Sequence, residues 1–322
     1  MKLNITTFNV ENLFNRYAFL DLPWENRNYE QFVQALSIVS IASRKGDLLS
    51  GPTTDIQRNN TAQAILDAQP DILAVQEIEN IYTLRNFNDT YLDNYFDRVL
   101  SVDGNDLRGI DVGLLLKKGL KVEITNIRIH INDAEKGKAI TRHSIPNMGY
   151  VVSGAIFSRD CLEVDIAVGS QTLTLLVNHF KAQDSDKKKS SAKRREQAER
   201  VAELVKMADR DGKLTIVLGD LNFDPKKDKK EGSLDPLLKN NKLPIMDPFP
   251  ADTWTHYYVP QKEIGRLDYI LPHKNINVLS TNILRKGLTT KCKQYTGERY
   301  PTIGPEHTEA SDHCPTSVVI EV

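Results

Sequence analysis

Short apolar runs recur along the chain, and most of them end in polar residues. The most regular is Leu214-Thr215-Ile216-Val217-Leu218, aliphatic and β-branched as a strand buried on both faces should be. It stops at Gly219, where the backbone can turn or be closely approached, and then presents Asp220 and Asn222. The opening segment, Leu3 to Val10, alternates and predicts a strand that delivers Asn9 and Glu11 at its end. Ile72-Leu73-Ala74-Val75 repeats the arrangement and closes on Gln76-Glu77. Further strands are predicted at 109–116 (with Arg108 just before), 149–157, 162–168, 172–177 and 316–322. The run at 172–177 ends in Asn178-His179, and Ser311-Asp312-His313 precedes the last strand.

Helical spacing is rarer. Ala198, Val201, Val205 and Ala208 line one face of a segment over 192–208 whose other face carries Lys, Arg and Glu. Helices are also predicted over 56–68, ended by Pro70, and over 29–42, with a loop at 44–54. Strands alternate with helices but also follow one another directly, so mixed sheets with helices outside fit better than a pure βαβ barrel. No repeat and no long polar linker divides the sequence, which reads as one domain over residues 1–322.

Composition narrows the function classes. Forty-two basic residues against 43 acidic ones, a net charge of −1, leave no global positive field. A phosphate-bearing partner must therefore be held by local groups or by a bound cation. The three cysteines, Cys161, Cys292 and Cys314, have neither metal-type nor disulfide-framework spacing and fit a reducing compartment. No signal peptide opens the sequence, and no apolar run reaches the roughly 18 residues a membrane span needs. A cytoplasmic, monomeric protein is expected.

Six predicted strand ends carry acids, amides or histidines: Asn9/Glu11, Glu77, His179, Asp220/Asn222, Asp268 and Asp312/His313. Each has an ordinary explanation. His179 fits a core histidine, Asp268 a surface pair with Arg266, Asp312 a cap after Ser311, and Glu77 a solvated strand end. Those explanations do not account for the recurrence at strand termini, where open α/β sheets place their chemistry. Oxygen-rich groups without cysteine point to a hard cation such as Mg²⁺ or Mn²⁺ rather than zinc.

Taken together and in order, Asn9-Val10-Glu11, Gln76-Glu77, Asn178-His179, Gly219-Asp220-x-Asn222, Leu267-Asp268-Tyr269 and Ser311-Asp312-His313 resemble the endonuclease/exonuclease/phosphatase family. Asn178-His179-Phe180-Lys181 and Arg108-Gly109-Ile110-Asp111-Val112 look most like its bacterial nuclease-like branch. The resemblance implies a four-layer α/β sandwich of two packed mixed sheets flanked by helices. It implies Mg²⁺ or Mn²⁺ held by Glu77 with Asn9, Glu11 or Asp312. His313 would contact the scissile phosphate or act as base, oriented by Asp268. Asp220 would position or deprotonate the attacking water, or protonate the leaving group. Asn9, Asn222 and His179 would bind phosphoryl oxygens, with Asn178 and Arg108 as further phosphate contacts. Some relatives have Asp where this chain has Glu11.

Substrate is the open part. Lys187–Arg195 holds six basic residues in nine, which reads either as a solvated helix start or as a phosphate-backbone clamp. The expected activity is a metal-dependent nuclease on DNA or RNA. A phosphomonoesterase or lipid-headgroup phosphodiesterase acting on a small phosphorylated substrate is the alternative, and a non-catalytic binding module is the third reading.

Overall fold

The computed structural model describes residues 1–13, 17–19, 48–50, 53–106, 109–145 and 149–322. The helix expected over 29–42 and the side chain of Arg108 lie outside the described residues.

In chain order the strands begin with β1 (Lys2–Leu13), β2 (Tyr17–Phe19), β3 (Leu48–Ser50), β4 (Ile72–Ile78), β5 (Phe96–Val102) and β6 (Asp111–Lys117). They continue with β7 (Glu123–Arg128), β8 (Thr141–Ile145), β9 (Gly149–Ser153), β10 (Cys161–Val168), β11 (Gln171–His179) and β12 (Leu214–Asp220). The last are β13 (His256–Tyr258), β14 (Glu263–Gly265), β15 (Asp268–Pro272), β16 (Asn277–Ile283) and β17 (Thr316–Glu321). Four helices are described: α1 (Asp55–Ala68), α2 (Ile81–Tyr91), α3 (Lys187–Arg210) and the short α4 (Asp235–Leu238).

Two large mixed sheets carry the fold, in the orders β16-β17-β1-β4-β6-β5 and β15-β12-β11-β10-β7. Each has one parallel pair, β1 with β4 and β11 with β12, and antiparallel neighbours elsewhere. Leu3, Ile5, Val112 and Leu114 of one sheet meet Val164, Leu175, Ile216 and Ile270 of the other in a continuous aliphatic layer. The outer face of the first sheet packs on α1 and α2 through Leu73, Val75, Ile65, Leu84 and Phe87. The outer face of the second packs on α3 through Leu176, Val217, Ala198, Val201 and Val205. Helix, sheet, sheet, helix: this is the four-layer sandwich.

Burial on both faces explains why β4, β6 and β12 read as unbroken apolar runs rather than alternating ones. The strand expected over 149–157 is shorter, since β9 ends at Ser153 and a turn follows at Gly154 (φ 81°). Leu48–Ser50, expected as loop, pairs with Tyr17–Phe19. Helix α3 begins five residues before the predicted Ala192, where Asp186 accepts a hydrogen bond from Lys189 N and caps it. Among the described residues no helix is long and apolar enough to cross a membrane.

Candidate active site at the ends of the two parallel strand pairs

Side-chain alternation decides what converges at the sheet ends. On β11, Leu173, Leu175 and Val177 point between the sheets, so His179 does too; on β12, Ile216 and Leu218 do the same for Asp220. Asn9 continues the face of Leu3 and Ile5, and Asp268 that of Ile270. The same alternation turns Asn178 the other way. It is fully buried and its Nδ2 donates to Leu176 O at 2.9 Å, so these contacts do not bring it into the cluster.

Glu77 arrives by a different route. Its place after Leu73 and Val75 would aim it at the helices. The pairing of β4 with β6 shifts register between Gln76 and Ile78, and Glu77 takes φ 64°. A bulge of this kind re-aims a side chain, and Glu77 Oε1 lies 3.8 Å from His179 Nε2 on the opposite sheet. Glu11 (φ 47°) and Asn222 (φ 52°) are also left-handed. Such backbone is costly for a non-glycine residue and gathers at functional sites. Gly219 (φ 134°) is obligatory, because a Cβ there would sit 1.9 Å from Asn178 O.

Asp220 is the hub. Its Oδ2 accepts from Asn9 Nδ2 at 3.1 Å and from Asn222 Nδ2 at 3.1 Å, while its Oδ1 accepts from Asn222 N at 2.9 Å. Histidine nitrogens approach the same Oδ2 from two sides, His179 Nε2 at 3.4 Å and His313 Nε2 at 3.9 Å. Burial raises the Asp220 carboxyl, the His313 charge opposes that, and Asp268 and Glu77 add to it, leaving it at about 7. His313 Nδ1 bonds Asp268 Oδ2 at 2.8 Å. Burial alone would lower this imidazole, but Asp268 and Asp220 carry it well above its ordinary value and keep it charged. Asp268 is held in turn by its own N–H to Thr255 Oγ1, 3.1 Å. Arg266 is not its partner: the guanidinium bonds Asp247 at 2.7 Å through both Nη atoms and lies over Phe249 and Tyr269.

The mouth of the cluster is acidic. Glu11 Oε2 accepts from Asp312 N at 2.8 Å, and Glu77 Oε2 from Asn12 N at 3.2 Å. Ser311 Oγ donates to Asn9 O at 2.8 Å, tying the two segments together. Burial, with Asp312, Glu309 and Glu77 close by, raises Glu11 well above an ordinary carboxyl. Carboxylates crowded in this way, with the Asn9 amide beside them, form an oxygen-rich donor set that a hard divalent cation fits.

His256 is the residue the sequence reading missed. Its Nε2 lies 3.3 Å from Asp312 Oδ2, and its ring centroid is 4.6 Å from that of His313. Burial alone would raise Asp312, but His256 and His313 bring it down to about 2.

Half of the basic segment is spoken for. Arg194 is buried and bonds Glu231 Oε1 at 2.5 Å; Arg195 pairs with Glu199 and Lys193 with Glu135. Arg159 is buried too, with Nε 3.1 Å from Asp106 Oδ2. Arg159, Lys193 and Arg195 nonetheless wall a cleft of about 710 Å³ that also takes in Lys181, Lys189 and Lys138. The cleft borders the site, because Arg159 Nη1 and Asn222 Nδ2 donate to the same carbonyl, Phe180 O.

A buried acid of raised pKa, amide and imidazole donors around it, and an oxygen-rich mouth define a phosphoester hydrolase of the four-layer sandwich type. The family model described as Endonuclease/Exonuclease/phosphatase family matches residues 6–313, and the chain belongs to that family. It is accordingly an enzyme of the phosphoesterase and nuclease kind, a group that generally uses a divalent metal. Solved structures agree in fold. A humanized D. rerio TDP2 carrying 14 mutations superposes at TM-score 0.59 with 15% identity, covering 100% of this chain and 99% of that one. A Bacteroides thetaiotaomicron endonuclease/exonuclease/phosphatase family protein gives 0.57 and 15%, covering 99% and 97%. The human Nocturnin catalytic domain gives 0.57 and 14%, covering 99% and 94%. No curated protein sequence matches the chain.

Proposed function

We propose that residues 1–322 form one monomeric catalytic domain that hydrolyses phosphodiester bonds in nucleic acid, with Mg²⁺ or Mn²⁺ as cofactor. The observation that carries this reading is the convergence on Asp220 of Asn9, Asn222, His179 and His313 from both sheets.

Attack of water on a phosphodiester builds negative charge on the phosphoryl oxygens and on the leaving oxygen. A divalent cation held by Glu77 with Asn9, Glu11 or Asp312 would offset part of that charge. The second N–H of Asn9 and the ring of His179 would meet those oxygens. Both N–H groups of Asn222 are engaged by Asp220 Oδ2 and Phe180 O, so Asn222 would have to give up one of them to join. His313 is already charged and its Nδ1 is committed to Asp268, so its Nε2–H donates rather than abstracts. That leaves Asp220 as the group that exchanges a proton with water or the leaving oxygen, a task suited to an acid near 7.

A polymer substrate is favoured by the cleft beside the site, whose Lys138, Lys181 and Lys189 would meet successive phosphates. One D. rerio TDP2 structure of the same fold is a complex with a single-strand DNA product. The second reading, a small phosphorylated substrate, is favoured by Glu135, Glu196 and Glu199 in the same cleft, which offset its cations. The test is hydrolysis of plasmid DNA, single-stranded DNA, RNA and inositol polyphosphates with Mg²⁺, Mn²⁺ or EDTA. Metal-dependent cutting of a polymer, abolished in Asp220→Ala and His313→Ala, is the expected result. Phosphate release from the small molecules with the polymers intact would replace the nuclease reading with the second one.

A further inference from the structure

Beside the oxygen-rich mouth lies a group of different chemistry. His256, Asp312 and His313 are the one set of three potential metal-ligating side chains among the described residues whose donor atoms all lie within 4.8 Å of one another. His256 Nε2 is 3.3 Å from Asp312 Oδ2, and Asp312 Oδ1 is 3.9 Å from His313 Nε2. A tetrahedral ion with bonds of about 2.0–2.2 Å holds its ligand atoms roughly 3.4 Å apart. With one atom taken from each residue the set spans up to 4.8 Å, so its widest pair would have to close by up to about 1.4 Å, within reach of side-chain rotations at Asp312 and His256.

The scaffold around them is stiff. His256 and His313 form an antiparallel bridge, Tyr257 N donates to Asp312 O at 2.9 Å, and Cys314 N donates to Thr255 O at 2.7 Å. Because Asp268 takes His313 Nδ1, the ring is fixed with Nε2 outward, the carboxylate–histidine support that metal-binding imidazoles use. The side chains of Asp312 and His256 are 30% and 12% exposed, which gives an ion a way in.

We propose that His256, Asp312 and His313 form a binding site for a first-row transition ion of the zinc class, adjoining the hard-cation site and sharing Asp312 with its candidate ligands. Two imidazole nitrogens and one carboxylate select Zn²⁺ or Co²⁺ over Mg²⁺, which demands oxygen. Three protein ligands leave a fourth position open to water, as in exchangeable rather than closed structural sites. An ion there displaces the His313 Nε2 proton to solvent and takes that nitrogen and one Asp312 oxygen out of use, so zinc inhibits hydrolysis. This last consequence rests on the function proposed above; the binding itself does not.

The test is direct binding to metal-stripped full-length protein without substrate or Mg²⁺. Co²⁺ is followed by its visible ligand-field absorption and Zn²⁺ by calorimetric displacement of the Co²⁺. The wild-type protein is expected to bind one ion with the intense bands of low coordination number. His256→Ala and His256→Gln each weaken binding at least about a hundredfold, and Asp268→Asn weakens it about 10–100-fold. Glu77→Gln leaves it unchanged. Failure of the wild type to bind either ion, equal binding by both His256 variants, or loss of binding in Glu77→Gln would each overturn the site. In hydrolysis assays, zinc should inhibit the wild type at concentrations that spare His256→Ala relative to its own zinc-free rate. Zinc that binds yet leaves hydrolysis untouched overturns the inhibitory role alone.

Discussion

Two of the buried histidines that sit against carboxylates, His130 and His313, differ in one respect. His130 gives Nδ1 to Asp133 and Nε2 to Glu163, both at 2.9 Å. The carboxylates are themselves closed off by Arg200 on Asp133 at 2.6 Å and Arg128 on Glu163 at 2.5 Å. His313 gives Nδ1 to Asp268, but its Nε2 stops 3.9 Å short of both Asp220 and Asp312. Opposed carboxylates raise both rings, His130 to about 9 despite the burial that would lower it. A perturbed pKa therefore does not separate the two. The closed network spends every valence on the fold, whereas the open one keeps a donor aimed at a space, and the open one is where a ligand fits.

Substitutions that keep shape and remove one function break the comparison most sharply at its open end. Asp220→Asn preserves the side-chain volume but ends proton exchange. A drop of about 10³-fold in the hydrolysis rate per folded molecule is expected, within the range acid–base groups contribute. Some loss of melting temperature accompanies it, because an amide NH2 would face the N–H groups of Asn9 and Asn222. A rate within tenfold of wild type would remove Asp220 from the chemistry. Asp268→Asn comes next, at about 10²-fold. The His313 ring loses the partner that holds its charge, so the pH–rate profile should move to lower pH on its alkaline limb. A uniform loss of rate with an unmoved profile would instead make Asp268 structural.

The closed end was invisible in the sequence and the open end nearly legible, for physical reasons. Asn9, His179 and Asp220 terminate apolar strands, so parity alone carries them to the inter-sheet face. The same parity excludes Asn178, which shares a motif with His179 but faces α3; the signal was present and the motif overrode it. Glu77 reaches the site only through its bulge, which no residue pattern around Val75-Gln76-Glu77 announces. His256 lies in a three-residue strand without an apolar run, and only its bridge to His313 gives it a role. The basic run over 187–195 was read as one unit, yet helical geometry buries Arg194 and leaves Lys187–Lys189 exposed. His130 has no distinguishing neighbours in sequence, because Asp133 comes from its own loop but Glu163 and Arg200 come from β10 and α3.

The closed network offers the smaller effects, and they fall on stability. Glu163→Gln leaves His130 and Arg128 short of a charge partner. Breaking a fully buried pair costs about 3–5 kcal/mol, and with Arg128 one-third exposed about 2–3 kcal/mol is expected in denaturant unfolding, with hydrolysis per folded molecule intact. Equal losses of rate and stability would tie this network to the site and erase the contrast. The pH dependence is subtler. The His130 value of about 9 in the folded protein lies above its ordinary 6.5, so folding favours the protonated ring. Its contribution is fully present below pH 6.5 and is lost as pH rises through about 9. Glu163 shifts the other way, held at about 2 by His130 and Arg128 against the effect of burial. Its contribution is present above 4.5 and is lost as pH falls through about 2. The melting temperature should therefore decline between pH 6.5 and 9 in the wild type and decline less in His130→Gln. An identical slope in both proteins would mean the His130 ring is not protonated between its two carboxylates, and the closed network would lose the charge that defines it.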